Sequence, residues 1–269
     1  MTRQAYILKD HELVVFWAQK AACTSITSAV GSNVLGLEPV PDQRLKGGMM
    51  QRLRGMGLVA PGNRARRIAQ KHHFRTLALV RDPYDRLVSS FISKFVVRRG
   101  VALNDPERYE RFSREFYQRA LDSGVVDRKA ERIAFAGLTF TEFVGLVCDQ
   151  IDRRRWWMQK PDPHWNTQIP QEFVAAGFDY DHLFDFQDAG LFFQKLAELS
   201  HCRIPARKLN PSPFQGPPQG DQTKIKSRML SEMEGFSRQD FWSPALAARI
   251  KTSFATDYHY LAICRNQAK

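Results

Sequence analysis

The sequence predicts an α/β fold in three layers, a central parallel sheet flanked by helices. Two apolar runs of strand length, "ELVVFWA" (12–18) and "RTLALV" (75–80), each pass through a short polar loop into a stretch of helical periodicity. Strands alternating with helices favour parallel pairing, because the crossover helix carries the chain back to the same edge of the sheet. No Pro/Gly/Ser-rich linker or charge run divides the 269 residues near their middle, so 1–269 reads as a single domain with one sizeable core.

The elements follow in order. After 12–18, "SITSAVGSNVL" (25–35) places Ile26, Ala29, Val30 and Val34 on one helical face. The stretch 41–70, with "KGGMM", "RLRGMG" and "APGNRARR", is Gly-rich and basic and reads as containing a mobile loop. The strand at 75–80 turns at "RDP" into "YDRLVSSFISKFV", where Leu87, Val88, Phe91 and Phe95 share a face; Asp82 suits the cap and Pro83 the first helical position. "DPERYERFSREFYQRALDSG" (105–124) repeats the Asp-Pro start and buries Tyr109, Phe112 and Phe116. "TFTEFVGLVCDQI" (139–151) is an amphipathic helix capped by Thr139 or Thr141. "FDYDHLFDFQDA" (178–189) reads as a short strand and turn, "GLFFQKLAELS" as the helix after it, and a Pro-rich loop (210–224) precedes a last helix near 244–256.

Composition bounds the function. Lys and Arg number 40 against 28 Asp and Glu, a net charge of +12, which favours an anionic partner: nucleic acid, an anionic lipid surface, an acidic polysaccharide or a phosphate-rich ligand. The four cysteines stand far apart without zinc spacing, so reduced thiols are expected and no metal site. Neither a signal peptide nor a run of about 18 apolar residues is present, and the expected location is the cytoplasm.

The loop "KAACTS" (20–25) has the parts of a phosphate cradle. A strand-to-helix turn presents unpaired amides and the positive end of a helix dipole. Small residues let an anion approach the backbone, Lys20 brings charge, and Thr24 and Ser25 bring hydroxyl donors. It is not the common triphosphate loop, whose Lys comes last and which needs glycines. A plain capped turn uses the same residues, with Lys20 ending a strand and Thr24 or Ser25 capping a helix. The second loop narrows the choice: Arg81 stands at a strand end before a helix, where it can grip a second phosphate, and Arg86, Ser89 and Ser93 follow at helical spacing.

With both loops in order, the chain resembles the sulfotransferases that use 3′-phosphoadenosine 5′-phosphosulfate, specifically the carbohydrate sulfotransferases of the chondroitin, dermatan and HNK-1 type. "QKAACTSI" is similar to the family's "PK-x-G/A-C-T-S/N", with Gln19 for Pro and Ala22 where Gly is usual, and "VRDPYDRLVSSFISKF" is similar to its "RDP-F/Y-x-R-L-V-S-x-[FY]". "DPHWNTQ" (162–168) and "FDYDHLFDFQD" (178–188) resemble its "HW-x-P-Q" and "YD-x-IGKFE", with Thr167 for Pro and a divergent ending at Asp185 and Asp188. "FATDYHYLAI" (254–263) resembles its closing segment.

The resemblance implies a P-loop-like fold and transfer of a sulfuryl group to an acceptor hydroxyl, here that of a carbohydrate or glycoconjugate, with a bacterial member expected. Carried over, Lys20 contacts the 5′-phosphate and its bridging oxygen, the Ala21, Ala22, Cys23, Thr24 and Ser25 loop cradles the phosphosulfate, Arg81 and Ser89 hold the 3′-phosphate, and Lys224 or Lys226 closes over the nucleotide. For the base that takes the acceptor's proton, His164 is the first candidate, with His72, His73, Glu12 and Glu38 also open. "IDRRRWWMQKPDPHW" (151–165) joins three arginines to Trp156, Trp157 and Trp165 and reads either as an acceptor groove, extending to about 188, or as buried tryptophans beside a solvated Arg run. A nucleotide-dependent kinase and a basic nucleic-acid-binding protein are the alternatives, the latter supported by the same Trp/Arg set.

Overall fold

A computed structural model describes residues 3–38, 45–153, 161–205, 216–233 and 235–267. The strands are β1 (Gln4–Leu8), β2 (Leu13–Trp17), β3 (Val59–Pro61), β4 (Arg75–Val80), β5 (Val97–Arg98), β6 (Val101–Ala102) and β7 (His182–Asp185). The helices are α1 (Cys23–Ser28), α2 (Leu45–Gly55), α3 (Gly62–His72), α4 (Pro83–Phe91), α5 (Arg111–Asp122), α6 (Arg128–Ile133), α7 (Phe140–Asp152), α8 (Gln171–Ala175), α9 (Ala189–Ser200), α10 (Ser227–Leu230), α11 (Pro244–Ser253) and α12 (Ala255–Gln267). They form two compact units: one of Met1–Asp82, Thr167–Pro211 and Thr256–Lys269, the other of Pro83–Asn166 and Ser212–Ala255.

The first unit holds the sheet, in order β3-β1-β2-β4-β7. β2, β4 and β7 pair in parallel; β1 is antiparallel to both its neighbours, so it alone runs against the other four. Side-chain alternation explains the layers. Tyr6, Leu8, Leu13, Val15, Trp17, Leu77 and Leu79 face Ile26 and Val30, Met49 and Leu53 of α2, and Phe192 and Leu196 of α9. Their sequence neighbours Ala5, Ile7, Val14, Phe16, Ala78 and Val80 face Ala65 and Ala69 of α3, Phe173 of α8 and Leu261 of α12. Strands buried on both faces carry continuous apolar runs, which is why 13–17 and 75–80 read so clearly.

Three stretches take a more specific form than the sequence pattern gives. The Gly-rich, basic stretch carries regular structure from Leu45 on, helix Leu45–Gly55, strand Val59–Pro61 and helix Gly62–His72, while 41–44 lie outside the described residues: Met49 and Leu53 are one turn apart and fully buried against the sheet, and α2 packs so closely that a Cβ at Gly31 would lie 2.3 Å from the Met49 sulfur. The segment after Ser25 is α-helical only to Ser28 and then a π-helix to Val34, although Ile26, Ala29, Val30 and Val34 are all buried as the spacing predicts. The Asp-Pro at 105–106 opens a 3₁₀ turn, Pro106–Arg108, capped by Asp105, and the helix proper begins at Arg111.

The second unit packs around aromatic rings. Phe91, Phe95, Phe116, Phe140, Phe143 and Trp165 are all buried, with ring centroids 4.9–6.4 Å apart. α7 begins with a capping box: the Glu142 N–H donates to Thr139 Oγ1 (3.0 Å) and the Thr139 N–H to Glu142 Oε2 (2.7 Å). No helix among the described residues is long and apolar enough to cross a membrane.

Candidate functional site

β2 and β4 are parallel neighbours, so the loops that leave their C-terminal ends emerge on one edge of the sheet, where open α/β folds place ligands. The first loop turns sharply. Lys20 (φ 66°) and Ala22 (φ 54°) both occupy the left-handed region, a costly conformation for residues with a Cβ. Ala21 between them is fully buried, and Thr24 and Ser25 are half-buried. Ala22 is the N-cap of α1 and has no capping side chain; the first intrahelical bond there is Ile26 N–H to Ala22 O (2.9 Å). The preceding amides, Cys23 to Ser25, therefore have no acceptor within the helix and mark the positive end of its dipole.

Ala22 stands where glycine would relax the backbone, so Ala22→Gly is expected to raise stability by about 0.5–1 kcal/mol, the left-handed penalty less glycine's entropy in the unfolded chain. Thermal unfolding should show a midpoint higher by about 1–3 °C. A lower midpoint would mean that this turn is not strained.

Arg81 follows the last residue of β4. Its Nη1 donates to Lys20 O (3.0 Å) and its guanidinium lies 4.8 Å from the Phe186 ring centroid. The structure thus brings Lys20, the Ala21–Ser25 loop and Arg81 together. The residue that sequence reasoning missed is Gln168, whose side chain bonds both backbone groups of Arg81. The signal was only the position of this Gln in "HWNTQ", since nothing local tells that it meets Arg81.

The same sheet sets three candidate bases of this unit apart, while Glu38, exposed beyond the helical segment that ends at Val34, is not among them. Glu12 precedes β2, and His72 and His73 precede β4, so all three lie at the N-terminal edge, opposite Lys20 and Arg81. Five strand residues at about 3.3 Å each separate the two edges by about 17 Å. Glu12 and His73 are in addition left-handed turn residues. Position excludes these three from chemistry beside Lys20.

Ser89, His164 and Lys224 belong to the second unit. Ser89 lies on α4 and is buried, and the helix grips the segment that carries His164: Ser90 Oγ donates to His164 O (2.8 Å) and Arg86 Nη2 to Pro163 O (3.0 Å). Arg86 is fully buried and fastens backbone. His164 Nδ1 lies 2.6 Å from Asp162 Oδ1, the same oxygen that accepts the His164 backbone N–H (2.9 Å). A carboxylate only accepts, so the ring donates from Nδ1 and, when neutral, keeps Nε2 as its acceptor. The ring stacks on Phe112 at 4.7 Å and 7°, which also restrains its rotation. Asp162 is the partner that sequence reasoning missed; an Asp two residues before a His was its one signal.

Lys224 is exposed, whereas Lys226 is committed to Glu142 at 2.8 Å. Trp165 does not line a groove: it is 1% exposed, inside the aromatic core. Arg153 pairs with Asp149 (3.2 Å), and Arg154, Arg155, Trp156 and Trp157 lie outside the described residues. Among the described residues no cluster of His, Cys, Asp and Glu is placed to hold a metal ion.

No curated protein and no solved structure matches the chain significantly. A family model described as "Sulfotransferase family" matches residues 3–202, a stretch that takes in both loops, α4 and the His164 dyad. By that match, over most of its length, the chain belongs to the sulfotransferase family.

Proposed function

We propose that this sulfotransferase takes its sulfuryl group from 3′-phosphoadenosine 5′-phosphosulfate and passes it to a hydroxyl of a carbohydrate or glycoconjugate. The observation that carries the donor assignment is the tether from Arg81 to the Lys20 carbonyl. It puts two cationic residues and the uncapped start of α1 on one sheet edge, fitting a nucleotide with phosphates at two separate positions. In this reading Lys20 stabilises the charge that develops on the leaving 5′-phosphate, and the amides of Ala22 to Ser25 hold the phosphosulfate. Arg81 and Ser89 bind the 3′-phosphate, and Lys224 covers the nucleotide. His164, held by Asp162, accepts the acceptor's proton. The carbohydrate acceptor rests on the motif resemblance and on the +12 charge, which suits an anionic glycan. In this reading residues 1–269 make one sulfotransferase domain.

Calorimetry tests this directly. The wild-type chain is expected to bind 3′,5′-adenosine bisphosphate without magnesium and in preference to ATP, and Arg81→Ala to weaken that binding by about 10–100-fold, the loss of a charge-assisted phosphate contact. A preference for ATP, or for magnesium-nucleotide complexes, would favour a kinase instead.

A further inference from the structure

Arg81 is held from an unexpected direction. It stands just beyond the sheet: the β4 ladder ends at Val80, paired with Asp185 of β7. A residue beyond the last ladder pair has its backbone N–H and C=O left to satisfy. Both go to one side chain. The Arg81 N–H donates to Gln168 Oε1 (3.0 Å), and Gln168 Nε2 donates to Arg81 O (2.7 Å). The carboxamide, with one donor end and one acceptor end, thus acts as a further strand residue would.

Gln168 is itself fixed on all sides. It is fully buried. Its backbone N–H donates to the Asp257 carboxylate (2.8 and 2.9 Å), as does that of Ile169 (2.9 Å). Its carbonyl accepts from Arg3 Nη1 (3.2 Å), while Arg3 Nη2 donates to Leu79 O (3.1 Å), two residues before Arg81. Arg3 and Asp257 are 2% and 1% exposed, so these are charged groups that folding has buried around one amide. Such burial is tolerated when the charged groups are hydrogen-bonded, as both Nη atoms of Arg3 are here while its buried Nε has no hydrogen-bond partner among the described residues, and a bonded network of this kind restricts the geometry. From Asp257 the path runs through Gln168 and Arg81 to the carbonyl of Lys20.

We infer that Gln168 is the positioning residue for Arg81, setting the direction of its guanidinium toward the Lys20 loop, with Asp257 and Arg3 as the frame that orients Gln168. The assignment rests on the donor site proposed above. A displaced Arg81 backbone moves the guanidinium from both its phosphate and its tether, and small misplacements of a binding group are expensive.

The test is a double-mutant cycle read by calorimetry with 3′,5′-adenosine bisphosphate. Gln168→Met, which keeps the volume and removes both bonds, is expected to raise Kd about tenfold in the wild-type background and less than about twofold in Arg81→Ala, because a residue that acts through Arg81 has nothing left to position. Gln168→Glu, which keeps the acceptor for the Arg81 N–H and loses the donor for its carbonyl, should move Kd in the same direction. Equal losses in both backgrounds would overturn the inference and make Gln168 a structural residue only. Independently of any nucleotide, the Arg81 guanidinium resonances, assigned by their absence in Arg81→Lys, should show hindered rotation in the wild-type protein and averaging in the variants. A freely averaging Arg81 in the wild-type protein overturns the positioning role even if neither variant folds. A wild-type chain that fails to bind the bisphosphate while Arg81 is held would instead overturn the donor site and leave the positioning supported.

Discussion

Lys20→Ala is expected to lower turnover by about 10³-fold, the scale on which removal of one group aimed at developing charge is felt. Sulfuryl transfer, like phosphoryl transfer, asks the protein mainly for positioning and for cations where charge accumulates. Lys20 is the cationic residue of the loop itself, between the end of β2 and the start of α1. The substitution separates chemistry from architecture unusually well. Arg81 is tethered to the carbonyl of Lys20, which alanine retains. The left-handed φ of 66° costs alanine about what it costs lysine, so the backbone strain of the loop is unchanged. Thermal unfolding should therefore move by no more than about 2 °C while turnover, followed with labelled donor, collapses. Activity within tenfold of the wild type would remove Lys20 from the reaction.

Donor affinity should respond differently from turnover in that variant. Lys20 is assigned to charge that is largest in the transition state, so kcat carries most of the loss. Arg81, assigned to the unreactive 3′-phosphate, should change binding more than turnover. Comparable kcat losses in the two variants would mean that the 3′-phosphate contact is also used to align the reacting end.

The limits of legibility follow from range. β4 is readable at 75–80 because its buried stretch 77–80 is an uninterrupted apolar run, as in a strand covered on both faces. Likewise Thr139 and Glu142, three residues apart, announce the start of α7 by a local bond pattern. The Lys20 loop was readable as a turn but not as a strained one, since neither Lys20 nor Ala22 signals a left-handed φ as glycine would. β1 was missed because its apolar residues merge with the charged turn at Lys9–His11, and its antiparallel pairing with β2 is settled by register rather than by composition. α2 is not legible within the Gly-rich, basic stretch 41–70, because glycines and arginines interrupt its apolar pattern; only the sheet face that receives Met49 and Leu53 makes it a helix. Trp165 had the composition of a sugar-stacking residue and the position of a core one, a distinction that depends on Phe116 and Phe143, distant in sequence. Gln168 is the extreme case: its partners Arg3, Arg81 and Asp257 come from three remote parts of the chain.

His164→Ala is expected to lower turnover by about 10²–10⁴-fold, the range of a lost general base. The dyad supports that assignment over a packing role. A histidine kept only for its ring would gain nothing from a carboxylate at 2.6 Å on Nδ1, whereas a base gains a fixed tautomer and a partner for the imidazolium it becomes. Phe112 holds the ring plane from one face, and Ser90 and Arg86 hold the segment's backbone. Asp162→Ala should reduce turnover in the same direction but less, because the imidazole remains while its orientation is lost. The pH profile discriminates between roles. Proton acceptance requires the neutral ring, so kcat/KM should fall on the acid side as His164 is protonated, and that limb should vanish in His164→Ala. A structural histidine would instead lower the unfolding temperature and leave the shape of the profile unchanged. An acid limb that persists in His164→Ala would assign the proton to another group, and Glu12, His72 and His73, at the far edge of the sheet from Lys20, would not be among the candidates.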